Sequence, residues 1–280
     1  MIHILTDSTC DLPEEWMQQH NIHVIPIHIQ FGAETFRDGE TIDKATFYER
    51  IARDGVLPKT SQPPPGDFVE AYRAIAGPSD EVISIHVTGK LSGTCASARM
   101  AAKTVADRIK VHVFDSLAGS SIMGYMCMEA ARMAKEGRVA AEILKRLEAV
   151  RPRVNLILTL ANLKFAQMSG RVGKLQGALA SLLNVQPIVR LDDGLLDMAE
   201  RVRSRKKALE RIVEMTRERV GDAPVHLAVL HAEALDEGTE LLEQAKRAFQ
   251  YREAFVHDLA LSLAVQFGPG ALALSTYPAE

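Results

Sequence analysis

In the first half of this chain one order of elements recurs three times: a short apolar run, a polar loop, then a helical stretch. Ile2–Leu5 leads into Thr6-Asp7-Ser8-Thr9, with Asp11 placed to cap a helix that opens at Pro13-Glu14-Glu15 and carries acidic residues in its favourable first turn. The β-branched run Val82–Val87 leads into Thr88-Gly89-Lys90-Leu91-Ser92-Gly93-Thr94 and an Ala-rich helix reaching about Asp107. Val111–Phe114 leads into Asp115-Ser116 and a long helix, Ser120–Lys135. Such alternation predicts an open parallel sheet with covering helices. Between these units, Ile22–Ile29 alternates as a strand, and Pro26 places it at an edge or bulge. Asp43–Arg53 and Asp67–Ile75 read as helices, separated by Lys59-Thr60-Ser61-Gln62-Pro63-Pro64-Pro65-Gly66, a polar loop that three prolines hold extended.

The second half has another rhythm. A strand at Leu156–Leu160 precedes Ala161–Gln167, a small-residue break at Ser169-Gly170-Arg171, and a helix over Lys174–Leu183. Gln186–Leu191 and Leu195–Ala199 flank Asp192-Asp193-Gly194, a hairpin turn. A basic helix over Arg205–Arg219, a strand at Val225–Leu230, a helix around Glu233–Phe249, and strands at Ala254–Leu259 and Ala271–Thr276 complete an α+β unit with a mainly antiparallel sheet. At 280 residues the chain suits two domains. The expected division gives residues 1–160 as the parallel-sheet α/β domain and 161–280 as the α+β domain, with the boundary near Thr159–Lys164.

Composition narrows the function classes. A net charge of −3 argues against nucleic acid as a partner, and 47% hydrophobic with 25% charged residues is the mix of an ordinary globular protein. Cys10, Cys95 and Cys127 are odd in number, widely spaced and never in a C-x-x-C pair, so no disulfide framework or cysteine zinc site is expected. The opening MIHILTDS has no basic leader, and no apolar run approaches the length that spans a bilayer. A cytoplasmic protein without an integral membrane segment is the expectation. There is no G-x-x-x-x-G-K-[ST], no H-E-x-x-H, and one residue too many in Gly89-Lys90-Leu91-Ser92-Gly93 for a nucleophile elbow. No metal and no cofactor are expected, and no catalytic set is assembled.

Three polar clusters follow strands directly, and in open parallel sheets ligands bind beyond the carboxyl ends of strands near a switch in strand order. The cluster over residues 88–94 is the most suggestive. Gly89 and Gly93 allow close backbone approach, Ser92 and Thr94 add hydroxyls, and a helix begins there whose positive end favours an anion. Ser92 or Thr94 acting only as a helix cap is the alternative from spacing. Thr60-Ser61-Gln62 offers further hydroxyls or merely a turn before the Asp67 helix, and Arg171 a cation or a solvated loop residue. His3, His86 and His112 fall in strands and read as packed, hydrogen-bonded residues. Arg201, Arg203, Arg205, Lys206 and Lys207 form one concentrated basic stretch, a solvated helix face or a surface for an anionic headgroup or acidic partner. Ser92 paired with a distant His keeps a serine-dependent acyl hydrolase or transferase open as a rival to a binder of a small anion.

Taken together in order, these clusters resemble the DegV family of bacterial fatty-acid-binding proteins. Thr6-Asp7-Ser8-Thr9-Cys10-Asp11-Leu12-Pro13 is similar to its opening signature, Thr60-Ser61-Gln62-Pro63 to its second, Leu91-Ser92-Gly93-Thr94 with Ser97-Ala98 to its third, and Asp115-Ser116 to its fourth. The likeness continues through Leu163-Lys164, Gly170-Arg171-Val172, Lys174-Leu175-Gln176 and Asn184-Val185-Gln186-Pro187-Ile188. It ends with Val202-Arg203-Ser204-Arg205-Lys206-Lys207-Ala208 and Gly268-Pro269-Gly270-Ala271-Leu272. The resemblance implies a two-domain α/β protein holding one long-chain fatty acid in an apolar tunnel in the cleft between domains. It also implies a carrier role, handing the fatty acid to a separate ATP-dependent fatty acid kinase that makes the acyl phosphate.

On that model Thr60 and Ser92 match the hydroxyls that hold the carboxylate, with Ser61 and Thr94 beside them. Gly93 and Gly170 match glycines that give the ligand close approach, and Arg171 and Arg203 match basic positions near the entrance, for headgroup or kinase. Ile122, Met123, Met126, Ala178, Leu182 and Leu272 are the expected aliphatic wall, with core packing the alternative for each of them. Two departures stand out. Gln266 occupies the position two residues before Gly-Pro-Gly where a His is common, so any role of that His toward the carboxyl group is altered here or taken by an amide. Pro64 stands where a serine is common after the first proline.

Overall fold

The computed structural model describes residues 1–161, 163–171 and 185–279. Its first half begins with β1 (Ile2–Asp7), followed by a 3-10 turn over Ser8–Cys10, α1 (Glu14–Gln19), β2 (Ile22–Ile25), β3 (His28–Phe31) and β4 (Glu34–Arg37). Then come α2 (Lys44–Asp54), β5 (Lys59–Ser61), α3 (Pro65–Ile75), β6 (Glu81–His86), α4 (Thr94–Thr104), β7 (Lys110–Asp115), α5 (Ser120–Lys135) and α6 (Ala140–Val150). Four strands form the expected parallel sheet in the order β2-β1-β6-β7. β1 and β6 are buried almost without interruption, as parallel strands covered on both faces are. Leu5, Ile25, Phe68, Tyr72, Val82, Ala98 and Ala101 join strands to α3 and α4 in one core, while α5 lies against β1 and β6.

Pro26 ends the alternating segment instead of riding within it. β2 and β3 lie on either side of Pro26-Ile27 and belong to different sheets. A proline has no N–H for a ladder, so the chain leaves the edge of the parallel sheet there and starts a small antiparallel one, β4-β3-β5. Asp11 does not cap α1. It sits in the left-handed region at φ 40°, the cap position of α1 is Pro13, and the carboxylate turns to other partners. Asp43 caps α2 as its position predicts, accepting the Thr46 N–H at 2.8 Å.

The second half contains β8 (Asn155–Thr159), α7 (Leu163–Ser169), β9 (Gln186–Asp192), β10 (Leu195–Val202), α8 (Arg205–Val220) and β11 (Val225–His231). It ends with α9 (Leu235–Ala248), β12 (Tyr251–Asp258), α10 (Leu261–Phe267) and β13 (Leu272–Pro278). These strands form one mixed sheet, β10-β9-β8-β13-β11-β12, antiparallel except for the β11–β12 pair. Asp193 and Gly194, both left-handed, make the β9–β10 turn. Ile157, Ile188, Ile212, Leu227, Leu241 and Leu274 bring the sheet, α8 and α9 into one core.

The chain divides into a first unit of Met1–Arg151 with Ala260–Ser262 and a second unit of Pro152–Leu259 with Leu263–Glu280. β8 therefore belongs to the second unit rather than to the first. The helix expected over Lys174–Leu183, with Ala178 and Leu182, lies outside the described residues.

Candidate functional site

From β1 the chain fills one side of the parallel sheet with β2 and later the other side with β6, so strand order switches between β1 and β6. Ligands in open parallel sheets bind beside such a switch, and the loops after β1 and β6 meet there. Asp7 ties the two strand ends together. One of its oxygens accepts the Thr9 N–H (3.1 Å) and hydroxyl (2.5 Å), and the other accepts His86 Nδ1–H and the Val87 N–H, both at 3.0 Å. From His86 Nε2 the network runs to Ser84 Oγ (2.6 Å) and on to the Tyr72 hydroxyl (2.9 Å), all of it buried. Burial pushes the Tyr72 phenol well above its ordinary pKa. His86 is thus the packed, hydrogen-bonded histidine that its strand position predicts, and it stiffens the floor of the edge.

On that floor stands the 88–94 loop. The Thr88 N–H donates to the Ala118 carbonyl (2.8 Å), and the Gly89 N–H donates to both carboxylate oxygens of Asp115 (3.1 Å each). Asp115 also accepts the Leu117 N–H at 3.0 Å. A Cβ at Gly89 would stand 2.7 Å from an Asp115 oxygen, so only glycine allows this grip. The Asp115 carboxylate is therefore engaged in holding the loop. Beyond this anchor, Leu91 and Ser92 N–H groups turn back to the Thr88 carbonyl (3.2 and 3.1 Å).

Ser92 and Thr94 stand side by side at the start of α4, their hydroxyl oxygens 2.8 Å apart, and Ser92 Oγ also accepts the Thr94 N–H at 3.2 Å. Gly93 holds the cap position and supplies no side-chain cap, so the positive end of an 11-residue helix opens beside two hydroxyls. Among the described residues no histidine hydrogen-bonds Ser92. The pair is suited to holding an anion. The three cysteines are free and buried, and burial raises the Cys95 and Cys127 thiols to about 12 and Cys10 well above its usual value, which leaves them inert.

Thr60 and Ser61 lie half-buried in β5, where Thr60 pairs with Ile29. The next residue, Gln62, brings this segment onto the Ser92–Thr94 loop. A Cβ at Gly93 would fall 2.8 Å from Nε2, 2.9 Å from Cδ and 3.2 Å from Oε1 of Gln62, so the amide occupies the space that the glycine leaves free.

Asp11 and Asp38 form another buried acidic feature of the first unit. Asp11 accepts the Ser120 hydroxyl (2.6 Å) and the Ala260 N–H (2.8 Å), and Asp38 accepts the Ser8 hydroxyl (2.9 Å) and the Ser262 N–H (3.2 Å). Burial raises the Asp11 carboxyl to about 8 and raises that of Asp38 as well. These two carboxyl groups hold Ala260–Ser262 to the first unit. The only hint of this in the sequence is Ser8 and Asp11 within the opening signature.

In the second unit, Gln266 lies buried in α10. Arg205 donates to Glu237 (3.0 and 3.2 Å) and to the Gly270 carbonyl (2.7 Å), bringing the start of α8 against Gly268-Pro269-Gly270. Arg203 is exposed, Gly170 is left-handed and exposed after α7, and the Arg171 guanidinium donates to the Ser169 carbonyl at 2.8 Å. Leu272 belongs to this unit's core, and Ile122, Met123 and Met126 are fully buried in α5 of the first. Among the described residues no cluster of three or more His, Cys, Asp or Glu is placed to hold a metal ion, and no helix is long and apolar enough to cross a membrane.

Comparison with known proteins agrees with this architecture over the whole chain. The model of the DegV family, described as an uncharacterised protein family, matches residues 1–279. Protein DegV of Bacillus subtilis is 34% identical over 275 residues, covering 98% of each chain. Among solved structures, a fatty-acid-binding DegV family protein from Thermus thermophilus superimposes with a TM-score of 0.91 at 32% identity, covering 99% of both chains. The Bacillus subtilis DegV structure, described as a fatty acid binding protein, gives 0.88 at 33% identity and covers 99% of both chains. A Thermotoga maritima protein whose structure reveals fatty acid binding function gives 0.89 at 28% identity, again covering 99% of both. By sequence over its full length and by fold, this chain belongs to the DegV family.

Proposed function

We propose that this protein binds one long-chain fatty acid and acts as its carrier rather than as an enzyme. The observation that carries the reading is the Ser92–Thr94 hydroxyl pair at the opening of α4, where among the described residues no histidine hydrogen-bonds Ser92. Its fatty-acid-binding relatives support the same reading. A carboxylate received by hydroxyls and helix N–H groups is satisfied by charge-assisted hydrogen bonds without burying a cation. Thr60 and Ser61 contribute from β5, and Gly93 gives backbone approach. Gln266, Gly170 and Arg171 are further proposed ligand contacts, resting on their match to family motifs. Each methylene of the tail removed from water contributes about 0.8 kcal/mol, so an aliphatic lining suffices for tight binding.

The carrier role extends to presenting the fatty acid to a separate ATP-dependent fatty acid kinase for acyl-phosphate formation. Arg203, exposed on a basic stretch, is the proposed contact for that partner or for the headgroup. Native mass spectrometry and lipid extraction of purified protein test the binding: a fatty-acid adduct is expected. Protein that is repeatedly empty and takes up neither palmitate nor oleate refutes it. Ser92→Ala is expected to weaken retention by about 1–3 kcal/mol, the loss of a hydrogen bond to a charged group. Acyl phosphate formed from the loaded protein, ATP and a purified kinase tests the partner, with Arg203→Ala lowering the rate.

A further inference from the structure

The amide of Gln62 lies across Gly93 between the two hydroxyl-bearing residues, within 2.8–3.2 Å of where a Cβ would stand. Its backbone is held by neighbours with little freedom. β5 ends one residue before it, and Pro63 after it restricts it to extended conformations. The side chain is exposed, and among the described residues its amide makes no hydrogen bond. An amide set this close to Gly93, the residue between Ser92 and Thr94 in the chain, and without an internal hydrogen bond among the described residues has its donor capacity available to a ligand. A neutral amide presents two N–H donors and no charge. It therefore rewards an acidic headgroup, which only accepts, without requiring a counter-charge.

We propose that Gln62 is a specificity residue of the carboxylate site, donating to the ligand headgroup beside Ser92 and Thr94 and favouring a carboxylate over an uncharged headgroup on the same chain. This rests on the fatty-acid reading above. It also accounts for glycine at 93: any larger residue there displaces the amide.

Delipidated wild-type, Gln62→Ala and Gln62→Glu proteins, titrated with oleate and with oleyl alcohol and read by native mass spectrometry, test the role. Gln62→Glu places a carboxylate against the headgroup and is expected to weaken oleate about tenfold or more, while oleyl alcohol, whose hydroxyl can donate to that carboxylate, is weakened far less. Gln62→Ala is expected to weaken oleate by a smaller factor, and by more than oleyl alcohol, whose oxygen accepts the amide N–H only in a neutral bond. A merely structural role lowers both ligands by the same factor, and that result overturns the proposal, as does oleate affinity unchanged in both variants. Wild-type protein that binds no oleate brings down the fatty-acid reading and this proposal with it. Wild-type binding with an unaffected Gln62→Glu variant removes Gln62 alone.

Discussion

Asp11 gives the sharpest link between a single side chain and a solution measurement. Its carboxyl is buried, receives the Ser120 hydroxyl and the Ala260 N–H, and is raised from 3.8 to about 8, chiefly by burial. In the unfolded chain it loses its proton near pH 4, whereas in the native state it keeps it until about pH 8. The stability this represents is complete below the unfolded value and is lost as pH rises through the folded one. Between about pH 5 and about pH 7 the native state holds one more proton than the unfolded state. Stability then falls by about 1.4 kcal/mol per pH unit, about 2.7 kcal/mol over that window.

Asp11→Asn keeps a carbonyl to accept the Ala260 N–H and an amide to meet the Ser120 hydroxyl, but has no proton to lose. It should match wild type near pH 4 and exceed it increasingly towards pH 8. Asp38 is shifted the same way and supplies a residual slope in the variant. Urea titrations at several pH values, followed by the fluorescence of Trp16, read this unit directly, because the chain's single tryptophan sits in α1 beside Tyr125 of α5. Parallel stability-versus-pH curves for wild type and Asp11→Asn would refute the buried neutral carboxyl.

Other perturbations follow from the same edge of the sheet. His86→Ala leaves the buried Asp7 carboxylate and Ser84 hydroxyl short of partners, and should lower stability by on the order of 3 kcal/mol in the same urea assay; a change within a few tenths would mean the network carries little. Gly89→Ala drives a methyl into Asp115 and should cost about 1–3 kcal/mol and weaken oleate uptake. In an Asp115→Ala background the same change should cost less, and simple additivity of the two would show that they do not interact. A fluorophosphonate probe should leave Ser92 unlabelled and a p-nitrophenyl ester should give no burst, since among the described residues no histidine hydrogen-bonds Ser92; labelling at Ser92 would reverse the carrier reading.

Much of the fold was legible because its signals are local. β1, β6 and β7 announce themselves as short β-branched runs ending in polar residues, α5 as a long apolar-rich stretch, and the β9–β10 turn as Asp-Gly. The small sheet β4-β3-β5 was not legible, since strands of three or four residues carry no period to read. α6 opens on Val139 with no capping side chain, so it carries no start signal in sequence despite its apolar face. β8 looks like the strands before it in sequence but pairs with β9 and β13, because a run of apolar residues does not say which sheet will hold it.

By itself, the sequence determined the element order of the parallel sheet, the polar clusters after its strands and the hydroxyls of Ser92 and Thr94, because spacing, β-branching and turn residues act over a few neighbours. Only tertiary structure decided what those polar groups do. It engaged Asp115 with Gly89, turned Asp11 from a helix cap to Ser120 and Ala260, buried His86 between Asp7 and Ser84, and laid Gln62 over Gly93. The partners in these contacts lie from two to 249 residues apart. Which of many equally polar groups becomes a ligand contact and which a structural tie is settled by burial and distance, quantities that exist only once the chain has folded.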